Sequence, residues 1–239
     1  MAPSTLLRLA GLALMVALLL SLPGYVIHPR THELADVIGS TTSLSHAIVA
    51  VGWALVLLGF PGLYAFHAQR TGVLGLVGFV LMMLFAAYHV YLLLYEAGPV
   101  ALLSGDAAAE RLFAPGGIVR QGMLREWVMP VTLFAPIVYG IALLRARVFS
   151  RWAGWLVIAF IPAFFVLNGV LQVLPLSTRE DLLDLGFANV GLGVSYLLLN
   201  LGLALAGYQL WSGLALASTS PERRGEAATY ANETTDAVG

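Results

Sequence analysis

The residue types best suited to chemistry gather in one short stretch, where His89 and Glu96 are interleaved with Tyr88, Tyr91 and Tyr95. If the stretch is helical, a step of 100° per residue puts His89 and Glu96 about 20° apart on one face, with the tyrosines on a second stripe. Imidazole and carboxylate groups on one face are suited to binding a metal or haem, or to transferring protons. The plain alternative is a hydrogen-bonded helix contact, with the tyrosines in an aromatic belt and Glu96 reaching water.

A second histidine comes within range of this stretch. His46 lies about one turn inside an apolar segment that runs opposite to the segment carrying His89. We therefore expect both imidazoles at a similar depth, close enough to share a metal ion or a haem if the two segments face each other. Their spacing matches no specific ligand motif. His67 lies about 31 Å further along the same helix as His46 and is excluded from a shared site.

Two further polar sets have helical spacing. Asn189, Tyr196 and Asn200 fall within about 20° of one direction on a helix, and Asn168 and Gln172 are separated by one helical turn. Amide side chains on facing membrane helices usually hydrogen-bond across the interface, and each bond contributes about 0.6 kcal/mol. The alternative is that they line a polar cavity, so all five join the candidate ligand-binding residues.

The composition removes several classes of chemistry. The chain has no cysteine, which excludes disulfides, thiolate ligands and cysteine nucleophiles. It has no lysine, which excludes a retinal Schiff base and a lysine-linked pyridoxal phosphate. A net charge of −1 gives no basic surface for nucleic acid. Nucleotide-binding, zinc-protease and nucleophile-elbow motifs are absent from the sequence, so haem or a metal is the cofactor class left open, and so is enzymatic activity.

Membrane-spanning helices must position these residues. The chain is 59% hydrophobic and 10% charged, whereas soluble domains carry about a quarter charged residues. Six segments supply the roughly 20 apolar residues that a bilayer crossing requires. We expect the first to be retained, because it ends in Leu22-Pro23-Gly24-Tyr25 rather than a small-residue cleavage site. The predicted fold is all-α and polytopic, a six-transmembrane-helix bundle with helices near 6–27, 43–66, 72–95, 127–144, 152–174 and 187–211.

The arginines predict the orientation of this bundle. One side of the predicted helices carries arginines without acids until the tail, and most acids lie on the other side. The arginine-rich side is cytoplasmic by the positive-inside rule, which places both N and C termini in the cytoplasm and the long loop 96–126 on the outer face. The polar tail 216–239 is predicted to be disordered, leaving 1–215 as the transmembrane domain. The arginine-rich, lysine-free composition is typical of high-GC bacteria and indicates a bacterial inner membrane.

Several short stretches carry a resemblance. They are Gly140-Ile141-Ala142-Leu143-Leu144-Arg145-Ala146-Arg147, Arg151-Trp152-Ala153-Gly154, the His28-Pro29 pair, His46, and Leu58-Gly59-Phe60-Pro61-Gly62-Leu63-Tyr64. Together they resemble an uncharacterised group of bacterial six-helix integral membrane proteins of unknown function. The resemblance covers roughly the first 215 residues. It implies a six-helix bundle and no activity.

Three functional hypotheses follow. The leading one is a non-enzymatic membrane protein that binds a small or hydrophobic ligand between its helices at the outer face, at His46, His89, Glu96 and the tyrosines. The second is a membrane-embedded redox protein or enzyme that holds haem or a metal through His46 and His89. The third is a helical scaffold or partner subunit without a ligand. The expected partners are the lipid bilayer and a hydrophobic small molecule, with a homo-oligomer or a partner membrane subunit left open.

Overall fold

The computed structural model describes residues 3–28, 40–100, 133–173 and 190–213, and these residues form helices joined by short turns, without a β-strand. The first helix, α1, spans Pro3–Val26. A helical stretch Ser40–Tyr95 follows and is broken at Gly72, which divides it into α2 (40–71) and α3 (73–95). A π-helical turn, Glu96–Val100, extends α3. The remaining helices are α4 (Ala135–Ala146), α5 (Arg151–Val173) and α6 (Val190–Trp211).

Helices α2 and α3 form an antiparallel hairpin. Gly72 has φ 55° and ψ −141°, a combination that is open to glycine and strained for other residues. Residues before and after this break meet across the hairpin. The Phe60 and Phe79 rings stack at 5.8 Å, and Trp53 meets Phe85 at 5.4 Å. The break therefore reverses the chain, and side chains far apart in sequence face each other in pairs.

The six helices close into a ring in chain order. Each helix packs against the next, and α6 returns to α1. Glycines permit the close approaches, as is usual where the surrounding lipid provides no hydrophobic drive for association. A Cβ on Gly207 of α6 would lie 2.6 Å from the Gly11 carbonyl oxygen of α1, and a Cβ on Gly140 of α4 would lie 2.9 Å from the Gly154 carbonyl oxygen of α5. Backbone therefore rests on backbone at these crossings.

Aromatic side chains fill the interior of the ring. Phe85 from α3, Phe160 from α5 and Tyr196 from α6 pack together, with ring centroids 5.0 to 6.5 Å apart. Phe60 and Tyr139 make a similar contact nearer the α2–α3 turn, at 4.5 Å. Phe85, Phe160, Phe60 and Tyr139 are fully buried. Rigid rings in contact hold the helices in one register and leave the polar groups described below in fixed positions.

The described helices are apolar enough for a membrane. Three helical stretches meet the length and hydropathy needed to cross one, namely Ser4–Val26, Thr41–Gly98 and Gly193–Trp211, while Ala135–Ala146 and Arg151–Leu167 are shorter apolar helices. The second stretch has 58 residues, about 87 Å of helix, and therefore crosses as the folded hairpin rather than as one rod. The described part of the chain is accordingly all-helical, and its helices are those expected of a membrane protein.

Charge separates the two ends of the ring. The arginines among the described residues, Arg8, Arg70, Arg145, Arg147 and Arg151, all lie at the end where α2 turns into α3, here called the Arg70 end. The acid among the described residues is Glu96, at the opposite or His46 end. Among the described residues, the two ends of the bundle thus differ in the sign of their charge.

Several helix boundaries differ from the expected ones. α1 begins at Pro3 and α2 at Ser40, each three residues earlier than expected, and two larger differences follow. We expected the second helix to end near residue 66, but α2 continues to residue 71. His67 and Thr71 of this last turn are buried, and the Thr71 hydroxyl hydrogen-bonds to backbone carbonyl oxygens of the same turn, which lets polar residues extend the helix. We expected the loop 96–126 to begin directly after Tyr95, but its first five residues continue as the π-helical turn. Residues 127–132 of the expected fourth helix, most of the loop and the tail lie outside the described residues.

Candidate functional site

A histidine and a glutamate meet at the His46 end of the hairpin. His46 Nε2 lies 2.9 Å from Glu96 Oε2, across the interface between α2 and the end of α3. The His46 side chain is 4% exposed, whereas that of Glu96 is 23% exposed. The imidazole is thus enclosed by the bundle, and the carboxylate keeps one side open. A ligand can therefore reach the Glu96 carboxylate, while His46 is screened from the surroundings.

The hydrogen bonds of His46 limit the protonation states of the His46–Glu96 pair. Nδ1 lies 2.7 Å from the Thr42 carbonyl oxygen, which can only accept, so Nδ1 carries a proton and donates it. A single further proton then lies between Nε2 and Glu96 Oε2. The pair is either an imidazolium with a carboxylate or a neutral imidazole with a carboxylic acid. In both forms the pair can exchange a proton or offer a carboxyl oxygen to a donor.

Two local features shape the surroundings of the pair. The His28 ring, just beyond the end of α1, lies 4.7 Å from the His46 ring between centroids. The π-helical turn begins at Glu96 itself. A π turn widens the helix by one residue and is found often at functional sites, because it displaces a side chain from its regular helical direction. Three ionisable residues from α1, α2 and α3 therefore converge at this end.

Deeper in the bundle, His89 belongs to a separate hydrogen-bond network. Its Nδ1–H donates to the Phe85 carbonyl oxygen at 2.7 Å. A charged imidazole buried without a carboxylate at hydrogen-bond distance is costly, so the ring is neutral and its Nε2 accepts from the Tyr196 hydroxyl at 2.5 Å. Trp53 stacks on the imidazole with a centroid distance of 4.7 Å. Both ring nitrogens are engaged, and His89 is only 5% exposed. This histidine is therefore neutral, and each of its ring nitrogens is hydrogen-bonded within the protein.

The network continues towards α1 through Tyr25. The Tyr25 and Tyr196 rings stack at 5.7 Å, and Asn200 Nδ2 donates to the Tyr25 hydroxyl at 3.3 Å. Tyr196 and Asn200 are one turn apart on α6, so both face the same part of the interior. Amide and phenol groups thereby tie α6 to α1 and α3 around the Trp53 ring, which suits a role in fixing the bundle.

The two histidines reach different partners. His46 is level with Glu96, whereas His89 is level with Trp53, and seven residues separate His46 from Trp53. That separation corresponds to about 10 Å along the helix axis. The described residues contain no group of three or more His, Asp or Glu side chains placed to hold a metal ion. A metal or haem held by both His46 and His89 stays a prediction, and the present bonding would have to be broken to accept it.

The remaining expected site residues are distributed around the bundle. Tyr88 is buried beside His89, with ring centroids 5.8 Å apart. Tyr91 is 40% exposed and stacks on Tyr95 at 6.1 Å, away from the buried network. The backbones of Asn168 and Gln172 are part of α5, but their side chains lie outside the described residues, as does the whole of Asn189. The amide pair expected on α5 therefore stays a prediction.

Two residues that surround the predicted ones, Tyr25 and Trp53, were not among the expected site residues. His28 was expected only near the site, in the loop above His46 and His89. A signal was available for Trp53, because the other tryptophans lie near the predicted helix ends and this one lies in the middle of an apolar segment. The Trp53 ring stacks on His89, while its Nε1–H has no hydrogen-bond partner among the described residues. Tyr25 carries no comparable signal, since it occurs at a helix end, where tyrosines are common.

No family model, no curated protein and no solved structure matches the chain.

Proposed function

We propose that the protein is a multi-pass membrane protein that binds a small molecule between its helices at the outer face, through the His46–Glu96 pair. The observation that carries the proposal is the contact between an enclosed imidazole and a partly exposed carboxylate, within a predominantly apolar helical stretch. Placing an ionisable group in a membrane costs about 2.5 to 3.5 kcal/mol on the gentler scales. The presence of an ionisable pair in these segments therefore points to a function.

The ligand class follows from the bonding of the pair. Glu96 offers a carboxyl group with 23% of its side chain exposed, and His46 fixes one of its oxygens. The complementary molecule carries a hydrogen-bond donor or a cationic group that meets Glu96, and an apolar body that fits between helices. The engaged nitrogens of His89 favour this hypothesis over haem binding, because Nε2, the usual ligand atom, already accepts from Tyr196.

The membrane arrangement is part of the same proposal. Six crossings with both termini in the cytoplasm would place the Arg70 end inside and the His46 end outside, in agreement with the arginines of the described residues. The site would then open to the outer side of a bacterial inner membrane.

The proposal is tested by extracting the small molecules that co-purify with the protein from bacterial membranes and quantifying them by mass spectrometry. We expect a compound in near-stoichiometric amount with the wild type, and at least a tenfold loss of it in Glu96→Gln and His46→Gln. His67→Gln is the matched control, because His67 is buried on the same helix and also donates through Nδ1 to a backbone carbonyl, at the opposite end.

Three outcomes count against the proposal. A wild-type preparation without any enriched compound would remove the ligand. Equal amounts of the compound in all variants would move it to another site. A Soret band in the absorption spectrum, lost in His46→Gln, would replace the proposal by the haem alternative. Circular dichroism and elution as a single species establish that each variant has folded.

A further inference from the structure

A groove runs along the surface between α1 and α2, near the Arg70 end and far from the His46–Glu96 pair. It has a volume of about 990 Å³. Its floor includes Ala10 and Gly62, which meet closely because neither carries a large side chain. Leu6 and Leu58 form walls and are 54% and 73% exposed. Gln69 and Arg70 stand at one end of the groove.

The groove is complementary to a lipid, because its lining is apolar along its length and polar at one end. Its lining is apolar apart from Gln69 and Arg70, both of which are exposed. Arg70 has no carboxylate partner in the described part of the chain, since the acid there is Glu96 at the opposite end. The Arg70 guanidinium and the Gln69 amide can donate hydrogen bonds to phosphate oxygens. The guanidinium also carries the charge opposite to that of a phosphodiester. The head of the occupant is therefore anionic and its body is apolar.

The length of the groove matches the depth of one membrane leaflet. Leu58 and Arg70 are twelve residues apart on α2, about 18 Å along the helix axis. Half of a bilayer core of about 30 Å is about 15 Å, which is the depth of the acyl chains of one leaflet. A lipid whose headgroup lies at Arg70 can thus lay one acyl chain along the groove as far as Leu58.

We propose that this groove binds a phospholipid of the leaflet on the Arg70 side, with one acyl chain between α1 and α2 and its anionic headgroup on Arg70 and Gln69. Basic positions between membrane helices on the arginine-rich side are suited to such headgroups. The lipid would cover the exposed leucines and fasten α1 to the hairpin. This site is separate from the outer-face site and does not depend on it.

Native mass spectrometry of the full chain tests the proposal with phosphatidylglycerol as the anionic lipid and phosphatidylcholine as the zwitterionic one. We expect the wild type to retain one phosphatidylglycerol more tightly than phosphatidylcholine, and Arg70→Gln to weaken phosphatidylglycerol binding about fivefold. Ala65→Trp should weaken both lipids, because Ala65 is an exposed lining residue and a large ring there fills the groove.

Arg8→Gln is the matched control. Arg8 is an exposed arginine at the same end of the bundle, but it is not part of the groove lining and its guanidinium lies beside Gly213 at the end of α6. Binding unchanged in Arg8→Gln and weakened in Arg70→Gln supports the site. Equal retention of the two lipids by the wild type would overturn it. So would an equal loss in both arginine variants, which would show a general attraction of the basic end.

Discussion

Two buried tyrosines, Tyr196 and Tyr139, differ in whether their hydroxyl group has a hydrogen-bond partner among the described residues. The Tyr196 hydroxyl donates to His89 Nε2 at 2.5 Å, whereas the equally enclosed Tyr139 hydroxyl has no hydrogen-bond partner among the described residues. His67 Nε2, on a ring 5.5 Å from that of Tyr139, likewise has no partner there. The hydroxyl beside His89 is therefore satisfied, whereas His67 Nε2 and the Tyr139 hydroxyl are not satisfied by the described residues. The Trp53 Nε1–H, on the ring that stacks on His89, also lacks a partner among the described residues.

This contrast makes a prediction at the scale of single residues. Tyr196→Phe leaves a buried imidazole nitrogen without a donor and should lower the free energy of unfolding by about 1 kcal/mol. Tyr139→Phe removes a hydroxyl without a partner and should leave stability unchanged or raise it. Thermal unfolding of both variants in one detergent is the measurement. Equal losses would mean that the hydrogen bond to His89 contributes nothing specific.

Residue chemistry was only partly accessible from the sequence. Helical spacing puts His89 and Glu96 on one face, and both side chains do point towards α2, where they meet Trp53 and His46. The register of α2 against α3 was not accessible, because it depends on a turn at Gly72 that lies beyond the expected end of the second helix. A shift of several residues in that turn is enough to pair His46 with Glu96 instead of bringing it level with His89.

Among the elements, the turn at Gly72 decides which side chains meet. The contacts from Phe60–Phe79 outward to His46–Glu96 all follow from the position of this reversal. A Cβ added at Gly72 would meet nothing within 4 Å, so the requirement for glycine comes from the backbone angles and not from space.

A substitution at this turn separates backbone strain from crowding. Gly72→Ala should lower the free energy of unfolding by about 1 to 3 kcal/mol, because φ 55° with ψ −141° is strained for alanine. Gly193→Ala is the matched control, since a Cβ there also meets nothing within 4 Å and α6 has ordinary helical angles at that position. It should be neutral or stabilising by up to about 1 kcal/mol. Comparable destabilisation of both variants in chemical unfolding would disprove the assignment.

The helices themselves were the most predictable elements. A run of about 20 apolar residues has few alternatives to a helix in a bilayer, so the observed helices lie within the expected segments apart from their ends. The π-helical turn at Glu96 had no such signal, because a π turn depends on side-chain packing rather than on an apolar run.

For the whole molecule, the separation of charge between the two ends is the strongest link between sequence and architecture. The arginines of the described residues gather at one end, and Glu96 lies with the histidines His28 and His46 at the other. This distribution follows from the requirements of membrane insertion and needs no knowledge of the interior. The closed ring of helices, by contrast, depends on glycine contacts whose partners only the structure identifies.

The claim that joins fold and function is that six crossings place the His46–Glu96 site at the outer surface. Because the chain has no cysteine, single cysteines can be introduced and labelled in intact cells with a membrane-impermeant maleimide. The proposal predicts labelling in intact cells at Thr31→Cys, Ser104→Cys and Thr178→Cys. It predicts labelling only after permeabilisation at Gln69→Cys, Ser150→Cys and Ser220→Cys. The reverse pattern, or neighbouring loops labelled from the same side, would contradict the account.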